Sequence, residues 1–346
     1  MPAEENVQFN KIKLTVSRLF HKVCRTISGT FPSNIFLAQN AISRSVPALM
    51  RAAKKIEADL YIAHNLGALP VASRVAHIHG SKYAFDAEDF HRGQVRAGTD
   101  EFKRTVLIEE KFIPGAAYVS SASPLIAEKY HGLFKKEKLV INNVFSRRHA
   151  AKIASFPEKP VKLFWFSQTI GKGRGIEDIL LAMKQLPAGS VTLTLVGSYN
   201  DMVKDYFLSI YSCESNSGIK FQKPVSTEEL FRLAAAHDIG LALEQPVEDN
   251  REVCLTNKIF TYLISGNAII FTSTAAQRDF YHKHPSIGFM YDPGKIEELV
   301  DILLSALDAN ILYKKKQAAL KLGINEMNWE NESRKFVSTV EKVLSS

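Results

Sequence analysis

Residues 167–183 read SQTIGKGRGIEDILLAM and follow an apolar run, Val161 to Phe166. The run predicts a buried β-strand, and the apolar spacing from Gly175 to Leu186 predicts a helix. Glycines in the intervening loop let the backbone approach a ligand closely, while Lys172 and Arg174 supply cations beside a helix N-terminus. The loop therefore predicts a phosphate-binding turn in an α/β sheet. The alternative is a glycine-rich turn with solvated charges.

Other phosphate and hydrolase motifs do not fit this sequence. The loop has no Gly-Lys-Ser/Thr and matches G-x-G-x-x-G poorly, and Gly197-Ser198 stands where a dinucleotide fold would place an acidic residue. H-E-x-x-H, G-x-S-x-G and the Cys/His spacing of zinc sites are also missing. We therefore expect neither a metallohydrolase nor a serine hydrolase.

The same alternation of strand and helix extends on both sides of the loop. The pattern downstream predicts strands at 191–196, 218–221, 239–243 and 268–271, separated by helices at 201–211, 227–236 and 257–264. Upstream it predicts strands at 60–63, 83–85, 116–120 and 139–142, with helices from Ser43 onward and at 66–77, 102–111 and 124–130. Such alternation is typical of parallel, doubly wound sheets with helices on both faces. Residues 11–24 fit either a strand or a basic amphipathic helix.

Length and composition indicate two globular domains. The chain has 346 residues, of which 46% are hydrophobic and 23% charged, and the Ser155–Pro160 segment, with two prolines, is the candidate hinge. Cys24, Cys213 and Cys254 lie far apart, which favours a reducing compartment over a disulfide framework. No signal peptide or membrane-spanning run is recognisable, so we expect a cytoplasmic protein.

Positive charge is concentrated in the first half of the chain. Residues 1–150 contain 22 Lys/Arg and 13 Asp/Glu, whereas residues 151–346 contain 22 and 23. This asymmetry suggests an anionic partner for the first half: a membrane surface, a phosphorylated lipid or a nucleic acid. The alternative is a solvated basic surface without a partner. We expect no nucleic acid, because aromatic residues are not interleaved with the basic ones.

Polar residues at strand ends are the remaining candidates for a site, because ligands of parallel sheets bind at the carboxyl ends of strands. His64 follows one predicted strand, and Asp86, Glu88 and Asp89 follow another. They could perform acid–base chemistry or bind hydroxyl groups, or they could be solvated loop residues. In the second half, further candidates are Asn257 and Lys258 at the polar end of a predicted helix, with Arg251 before it.

From about Asp59 to Leu344 the chain resembles glycosyltransferase family 4. Five segments carry the resemblance in the family's order: DLYIAHN (59–65), FDAED (85–89), SQTIGKGRGIEDILLAM (167–183), NKIFTYLISGNAII (257–270) and NWE (328–330). The resemblance implies a GT-B fold, in which two Rossmann-like domains face a cleft and a C-terminal helix crosses back to the first. On this basis we expect domains at 1–155 and 156–327 and a crossover helix at 328–346.

The resemblance also assigns roles to individual residues. Arg174 would stabilise the departing nucleoside diphosphate without a bound metal or other cofactor, and Glu88 and His64 would be the other catalytic residues. The donor would be bound by residues of the glycine-rich loop and of the later helix, namely Gln168, Gly171, Lys172, Gly173, Arg174, Glu252, Asn257 and Lys258. The implied reaction retains the anomeric configuration.

The chain departs from the family pattern at several positions. Thr261 and Val253 occupy the positions of the family's two glutamates, one of which usually holds the nucleotide ribose, and Glu252 could substitute. Glu88 stands where the family has histidine. The family's first glycine-rich loop has no counterpart in residues 1–58, so we expect either an abbreviated N-terminal domain or a chain that begins inside that domain.

Two functions remain in competition. The first is transfer of a sugar from a nucleotide-sugar donor to a lipid-linked or polysaccharide acceptor, at the inner face of a membrane reached through the basic half. The second is a non-catalytic GT-B scaffold that partners an active transferase or a membrane.

Overall fold

The structure is a computed structural model that describes residues 2–152, 154–211 and 218–345, with the side chains of residues 2–13 outside the description. Cys213 lies outside the described residues, and Cys24 and Cys254 are both free and buried. The helices are α1 (Pro2–Thr30), α2 (Ile35–Ile42), α3 (Val46–Ala53), α4 (Leu69–His79), α5 (Asp100–Phe112), α6 (Pro124–Phe134), α7 (Ile176–Met183), α8 (Asp201–Tyr211), α9 (Thr227–Ala235), α10 (Asp249–Val253), α11 (Asn257–Ser265), α12 (Ala275–Lys283), α13 (Ile296–Ala306), α14 (Ala309–Asn325) and α15 (Trp329–Ser345). The strands are β1 (Leu60–His64), β2 (Lys82–Ala87), β3 (Val119–Ser121), β4 (Leu139–Val140), β5 (Val161–Thr169), β6 (Val191–Ser198), β7 (Ile219–Gln222), β8 (Ile239–Ala242), β9 (Ala268–Thr272) and β10 (Gly288–Tyr291).

Strands β1 to β4 form a parallel sheet in the order β1-β2-β3-β4. The helices between them begin at capping residues: the Thr99 side chain accepts from Phe102 N at α5, and the Ser123 side chain accepts from Ile126 N at α6. Residues 2–53 form α1, α2 and α3, so the ambiguous segment 11–24 is helical. The strand alternative for this segment is wrong.

The second sheet has the parallel order β10-β9-β8-β5-β6-β7. The chain enters at β5, adds β6 and β7 on one side, and then returns to place β8, β9 and β10 on the other. The order therefore reverses between β5 and β8, and ligands of such sheets bind outside the carboxyl ends of the two strands at this switch point. The predicted strands and helices of both sheets are confirmed, with shifts of a few residues at their ends.

Apolar residues of β5, β6, β8 and β9 form the core of the second sheet, and these include Leu163, Trp165, Leu193, Leu195, Ile239, Leu241 and Ile270. The ring of Tyr262 on α11 lies directly against Gly240 of β8, where an added Cβ would come within 2.1 Å of the ring. Glycine at this position therefore lets the helix approach the strand closely, which fixes the start of α11 beside the switch point.

The contacts within the chain divide it into two compact units. The first contains residues 1–141, 248–250 and 338–346, and the second contains residues 142–247 and 251–337. This grouping differs from the predicted division at residues 155 and 156. Ala151 N donates to Ile264 O (2.9 Å) and Lys316 Nζ donates to Ser155 Oγ (2.9 Å), so the segment after Asn142 packs with the second unit.

Helix α15 belongs to both units, since its residues up to Val337 group with the second and those from Ser338 onward with the first. This agrees with a C-terminal helix that returns to the first unit. None of the helices in the described part of the chain combines the length and apolar character needed to cross a membrane.

Candidate functional site

A pocket of about 160 Å³ lies at the switch point of the second sheet. Its lining comes from the end of β5, the glycine-rich loop, the segment after β8 and the region of α10 and α11, with the residues Trp165, Lys172, Gly173, Arg174, Leu243, Glu244, Gln245, Val247, Arg251 and Lys258. The carboxyl ends of β5 and β8 thus meet where the topology predicts a ligand site. We call this the switch-point pocket.

Arg174 is fixed within the glycine-rich loop by its own strand. Its Nη1 atom donates to Ser167 Oγ (2.5 Å) and to the Thr169 carbonyl oxygen (3.1 Å). The next residue, Gly175, has a φ of 77°, and an added Cβ would lie 2.9 Å from the Leu243 carbonyl oxygen. Glycine is therefore required both for this conformation and for the close approach of the two loops. The guanidinium is therefore held beside the pocket by two uncharged acceptors, a hydroxyl and a carbonyl oxygen.

A buried ion pair forms the opposite wall. Lys258 Nζ lies 2.6 Å from Glu244 Oε1, and Gln277 Nε2 donates to the other carboxylate oxygen at 2.8 Å. The side chain of Glu244 is 2% exposed and that of Lys258 is 15% exposed. Burial alone would raise the pKa of Glu244, but Lys258 and, more weakly, Arg251 outweigh it and hold this pKa below its ordinary value. Glu244 is thus a carboxylate whose charge is satisfied by Lys258.

The pocket carries an excess of positive charge. Its described lining residues include four cations, Lys172, Arg174, Arg251 and Lys258, and one carboxylate, Glu244. Because Glu244 is already paired with Lys258, the remaining cations have no matching acidic group in the lining. A polar, cationic pocket of this kind suits a ligand with several negative oxygens, such as a diphosphate.

The structure brings only part of the predicted donor set together. Lys172, Gly173, Arg174 and Lys258 line the pocket, whereas Gln168, Gly171, Glu252 and Asn257 do not. The ammonium of Lys172 lies 3.8 Å from the centroid of the Tyr206 ring, and Gly173 N donates to Glu177 Oε1 at 2.9 Å.

The predicted site residues did not include five residues of the pocket lining: Trp165, Leu243, Glu244, Gln245 and Val247. Glu244 comes shortly after the last residue of β8, so its position at a strand end was the available signal. Trp165 lies within β5, and its place in an apolar run predicts a core residue and gives no sign of a site. Its contact with Lys258, whose ammonium is 5.8 Å from the ring centroid, depends on the fold.

In the first unit, β1 and β2 place His64 and Asp86 in register. His64 Nδ1 lies 2.8 Å from Asp86 Oδ2, and Ser120 Oγ donates to the other oxygen of Asp86 at 2.7 Å. Glu88 is exposed nearby, and His64, Asp86 and Glu88 could each offer a ligand atom to a cation, since these atoms lie within 4.8 Å of one another. The arrangement can also orient the imidazole for acid–base work. Asp86, rather than Glu88, contacts the histidine.

Solved structures resemble most of the chain in fold. The Anabaena protein HepE in complex with UDP-glucose matches with a TM-score of 0.68 at 16% identity, covering 87% of this chain and 83% of HepE. Sucrose-phosphate synthase from Thermosynechococcus elongatus matches with a TM-score of 0.70 at 15% identity, covering 87% and 78%. A glycosyltransferase from Rickettsia africae matches with a TM-score of 0.67 at 15% identity, covering 90% and 82%. No protein-family model and no curated protein sequence matches the chain.

The chain has the GT-B fold. Within this GT-B fold, the two positions where glycosyltransferase family 4 has glutamates are core positions. Thr261 is fully buried and its Oγ1 donates to the Asn257 carbonyl oxygen (3.0 Å), and Val253 is 5% exposed. Glu252 accepts from Ala275 N (2.8 Å), at the start of α12. In this structure Glu252 therefore caps a helix and does not line the pocket.

Proposed function

We propose that the chain is a glycosyltransferase that transfers a sugar from a nucleoside-diphosphate sugar to a lipid-linked or polysaccharide acceptor. The observation that carries the proposal is the cationic switch-point pocket of a GT-B fold, with Arg174 held at its edge. The similarity in fold to HepE, whose structure contains UDP-glucose, supports a uridine nucleotide as the first donor to test.

In the proposed reaction, the bond between the anomeric carbon and the diphosphate breaks, and negative charge develops on the departing oxygens. Arg174, Lys172 and Arg251, the pocket cations not paired with Glu244, stabilise that charge. They lower the barrier because the folded protein already holds them in place before the reaction begins. No metal ion takes part in the proposed mechanism. The acceptor hydroxyl attacks the same face of the sugar and gives its proton to the departing diphosphate oxygen, so the anomeric configuration is retained.

In this proposal, residues of the first unit bind the acceptor. His64, oriented by Asp86 at 2.8 Å, contacts acceptor hydroxyls, and the exposed Glu88 assists. We further propose that the protein works at the inner face of a membrane, which the basic first half contacts through anionic lipids.

A thermal-shift screen against UDP, GDP, ADP and CMP tests the donor site. One nucleoside diphosphate should raise the melting temperature, because a ligand at a hundredfold excess over its Kd stabilises the folded state by about 2.7 kcal/mol. Arg174→Ala should abolish the shift. Arg278→Ala is the matched control, since Arg278 also donates to a backbone carbonyl, Ser273 O at 2.8 Å, and lies outside the pocket lining.

A second candidate function, a non-catalytic GT-B scaffold, is favoured by one observation: Thr261 and Val253 are buried where the family has glutamates. The same screen separates the two functions. A shift that Arg174→Ala removes, followed by release of sugar from the matching donor, supports the transferase. Failure of every nucleotide to shift the wild-type protein rejects the donor site and leaves the scaffold.

A further inference from the structure

The N-terminal helices of the first unit expose an apolar groove. Helices α1, α2 and α3, with Arg74 of α4, border about 1180 Å³, lined by apolar side chains that include Leu14, Val16, Phe20, Phe36 and Met50. We call this the N-terminal groove. It lies outside both the switch-point pocket and the His64–Asp86 pair, and the family resemblance begins only at Asp59.

The groove is built by packing and is not a gap between loose helices. The rings of Phe20 and Phe36 meet edge to face with centroids 6.5 Å apart, and His21 Nδ1 lies 2.8 Å from the Asn40 carbonyl oxygen. Farther along α1, the buried Arg104 donates to Ser28 Oγ at 3.1 Å. Helix α1 is thereby fixed against α2 and α5 while its other face stays open.

The open face is unusually apolar for a protein surface. Ten of the 21 large hydrophobic side chains found exposed in the described residues lie between Leu14 and Ile56. The most exposed of them are Leu19 at 63% and Val16 at 61% on α1, followed by Ile56 at 60% and Phe31 at 57%. A continuous apolar surface of this kind marks a binding surface, because leaving it in water costs about 25 cal/mol for each Å².

The charge of the same segment identifies the partner. From Asn6 to Ile56 the sequence contains nine Lys/Arg and no Asp/Glu. Three arginines, Arg44, Arg51 and Arg74, lie in the groove lining beside the apolar side chains. Apolar side chains bordered by cations fit a surface with anionic groups above hydrocarbon, which is the chemistry of an anionic lipid bilayer.

Other occupants fit less well. A second copy of the chain would place one basic face against another, and like charges at an interface cost several kcal/mol. Single-stranded nucleic acid would match the cations, but its bases stack on aromatic rings, whereas most of the groove is aliphatic. An anionic membrane offers hydrocarbon for the apolar side chains and phosphate groups for the cations.

We infer that the N-terminal groove and the exposed face of α1 dock onto the surface of an anionic phospholipid membrane. Val16, Leu19 and Phe36 enter the boundary between headgroups and acyl chains, and Arg44 and Arg51 contact lipid phosphates. The inference rests on the proposed function, in which the acceptor is lipid-linked. It assigns the membrane contact of that function to a defined surface.

Vesicle flotation of the full chain tests the inference, with phosphatidylcholine vesicles that either contain or lack phosphatidylglycerol. The wild type should float only with phosphatidylglycerol and should be released by salt. Arg44→Gln/Arg51→Gln should weaken binding roughly thirtyfold, because each cation near an anionic surface contributes about a fivefold factor.

Val16→Glu/Leu19→Glu should abolish flotation, since both side chains are exposed and the change removes apolar contact and adds negative charge. Ile78→Glu/Leu133→Glu is the matched control: these residues are 55% and 44% exposed in the same unit, outside the groove lining, and their replacement should reduce binding much less. Circular dichroism and the UDP-dependent melting shift report whether each variant is folded.

Equal flotation with both vesicle types, no flotation with either, or equal losses in the two glutamate variants would overturn the inference. A wild-type dimer in sedimentation that Val16→Glu/Leu19→Glu dissociates would instead assign the groove to a second copy. The donor site is measured without lipid, so failure of vesicle binding with an intact UDP shift refutes only the groove. Vesicle binding without any nucleotide shift refutes only the transferase.

Discussion

At the scale of single residues, the Glu244–Lys258 pair is the most consequential contact of the candidate site. Both partners are largely removed from water, and their charged atoms lie 2.6 Å apart. Breaking such a pair leaves a charge without a partner in a buried position, which costs more than the intact pair contributes. The pair therefore fixes the side chain of Lys258 toward the pocket and makes its position sensitive to changes at Glu244.

We predict that Glu244→Ala lowers the free energy of unfolding by about 3 kcal/mol, measured by urea denaturation, because it leaves the buried Lys258 ammonium without its partner. Glu244→Gln/Lys258→Met, which removes both charges, should recover most of this loss. Glu229→Ala is the control, since Glu229 pairs with Arg232 at the surface and its loss should change stability little. Equal effects of Glu244→Ala and Glu229→Ala would contradict a buried, coupled pair.

At the scale of elements, the start of α15 is tied to the chain after β4. Glu330 in its first turn accepts from Ser146 Oγ (2.7 Å) and from Arg147 N (3.1 Å). Partial burial opposes ionisation of Glu330, but these hydrogen bonds and the Arg147 charge outweigh it and lower its pKa from 4.5 to about 2. The ionised form of Glu330 therefore stabilises the attachment of α15.

Because the folded-state pKa of Glu330 is lowered, its stabilisation is present above pH 4.5 and is lost as the pH falls toward about 2. We predict that Glu330→Gln is less stable than the wild type at neutral pH and loses less stability between pH 4.5 and 2, as measured by chemical denaturation at each pH. Glu341→Gln, a change at an exposed residue near the end of the same helix, should leave the pH profile unchanged. Parallel pH profiles of Glu330→Gln and the wild type would contradict this assignment.

The elements also show how far the sequence predicted the fold. Apolar runs and helical spacing predicted the strands of both sheets up to β9, and the runs of β3, β5, β6, β8 and β9 are largely buried in the core. Between residues 272 and 327 the sequence pattern predicted no elements, and α12, β10, α13 and α14 lie there. Helix α1 could not be distinguished from a strand by periodicity, because the choice is made by packing of Phe20 on Phe36 and of His21 on Asn40.

The candidate site was predictable only where local sequence carries the signal. The glycine-rich loop with Arg174 was identifiable because glycines and cations follow a strand in sequence. The Glu244–Lys258 pair and the helix-capping role of Glu252 depend on residues brought together by the sheet order and by α12. Such pairings are set by tertiary structure and leave no periodic pattern.

At the scale of the whole molecule, the two proposed ligands belong to different units. The switch-point pocket, the proposed nucleotide site, lies in the second unit, and the N-terminal groove lies in the first. The net charge of +8 arises in the first half of the chain, where 22 Lys/Arg face 13 Asp/Glu. Donor and membrane therefore need not compete for the same residues.

We predict two separate footprints in hydrogen exchange of the full chain. UDP should slow exchange in residues 167–175 and 243–258, and vesicles with phosphatidylglycerol should slow it in residues 14–56, because each ligand reduces local opening where it binds. Phosphatidylcholine vesicles serve as the control for the lipid footprint. A UDP footprint confined to residues 14–56 would refute the switch-point pocket as the nucleotide site.

The burial of Thr261 and Val253 has a consequence for substrate selection. Enzymes distinguish a ribose from a deoxyribose through a polar group that the missing hydroxyl would leave unpaired. In the described pocket lining the sole carboxylate, Glu244, is already paired with Lys258, and Glu252 caps α12. The protein should therefore bind UDP and 2′-deoxy-UDP with similar affinity, which titration calorimetry with both nucleotides would measure. A donor site of this kind would be tolerant of altered sugars in the nucleotide and would make a natural starting point for engineered transfer from unnatural donors.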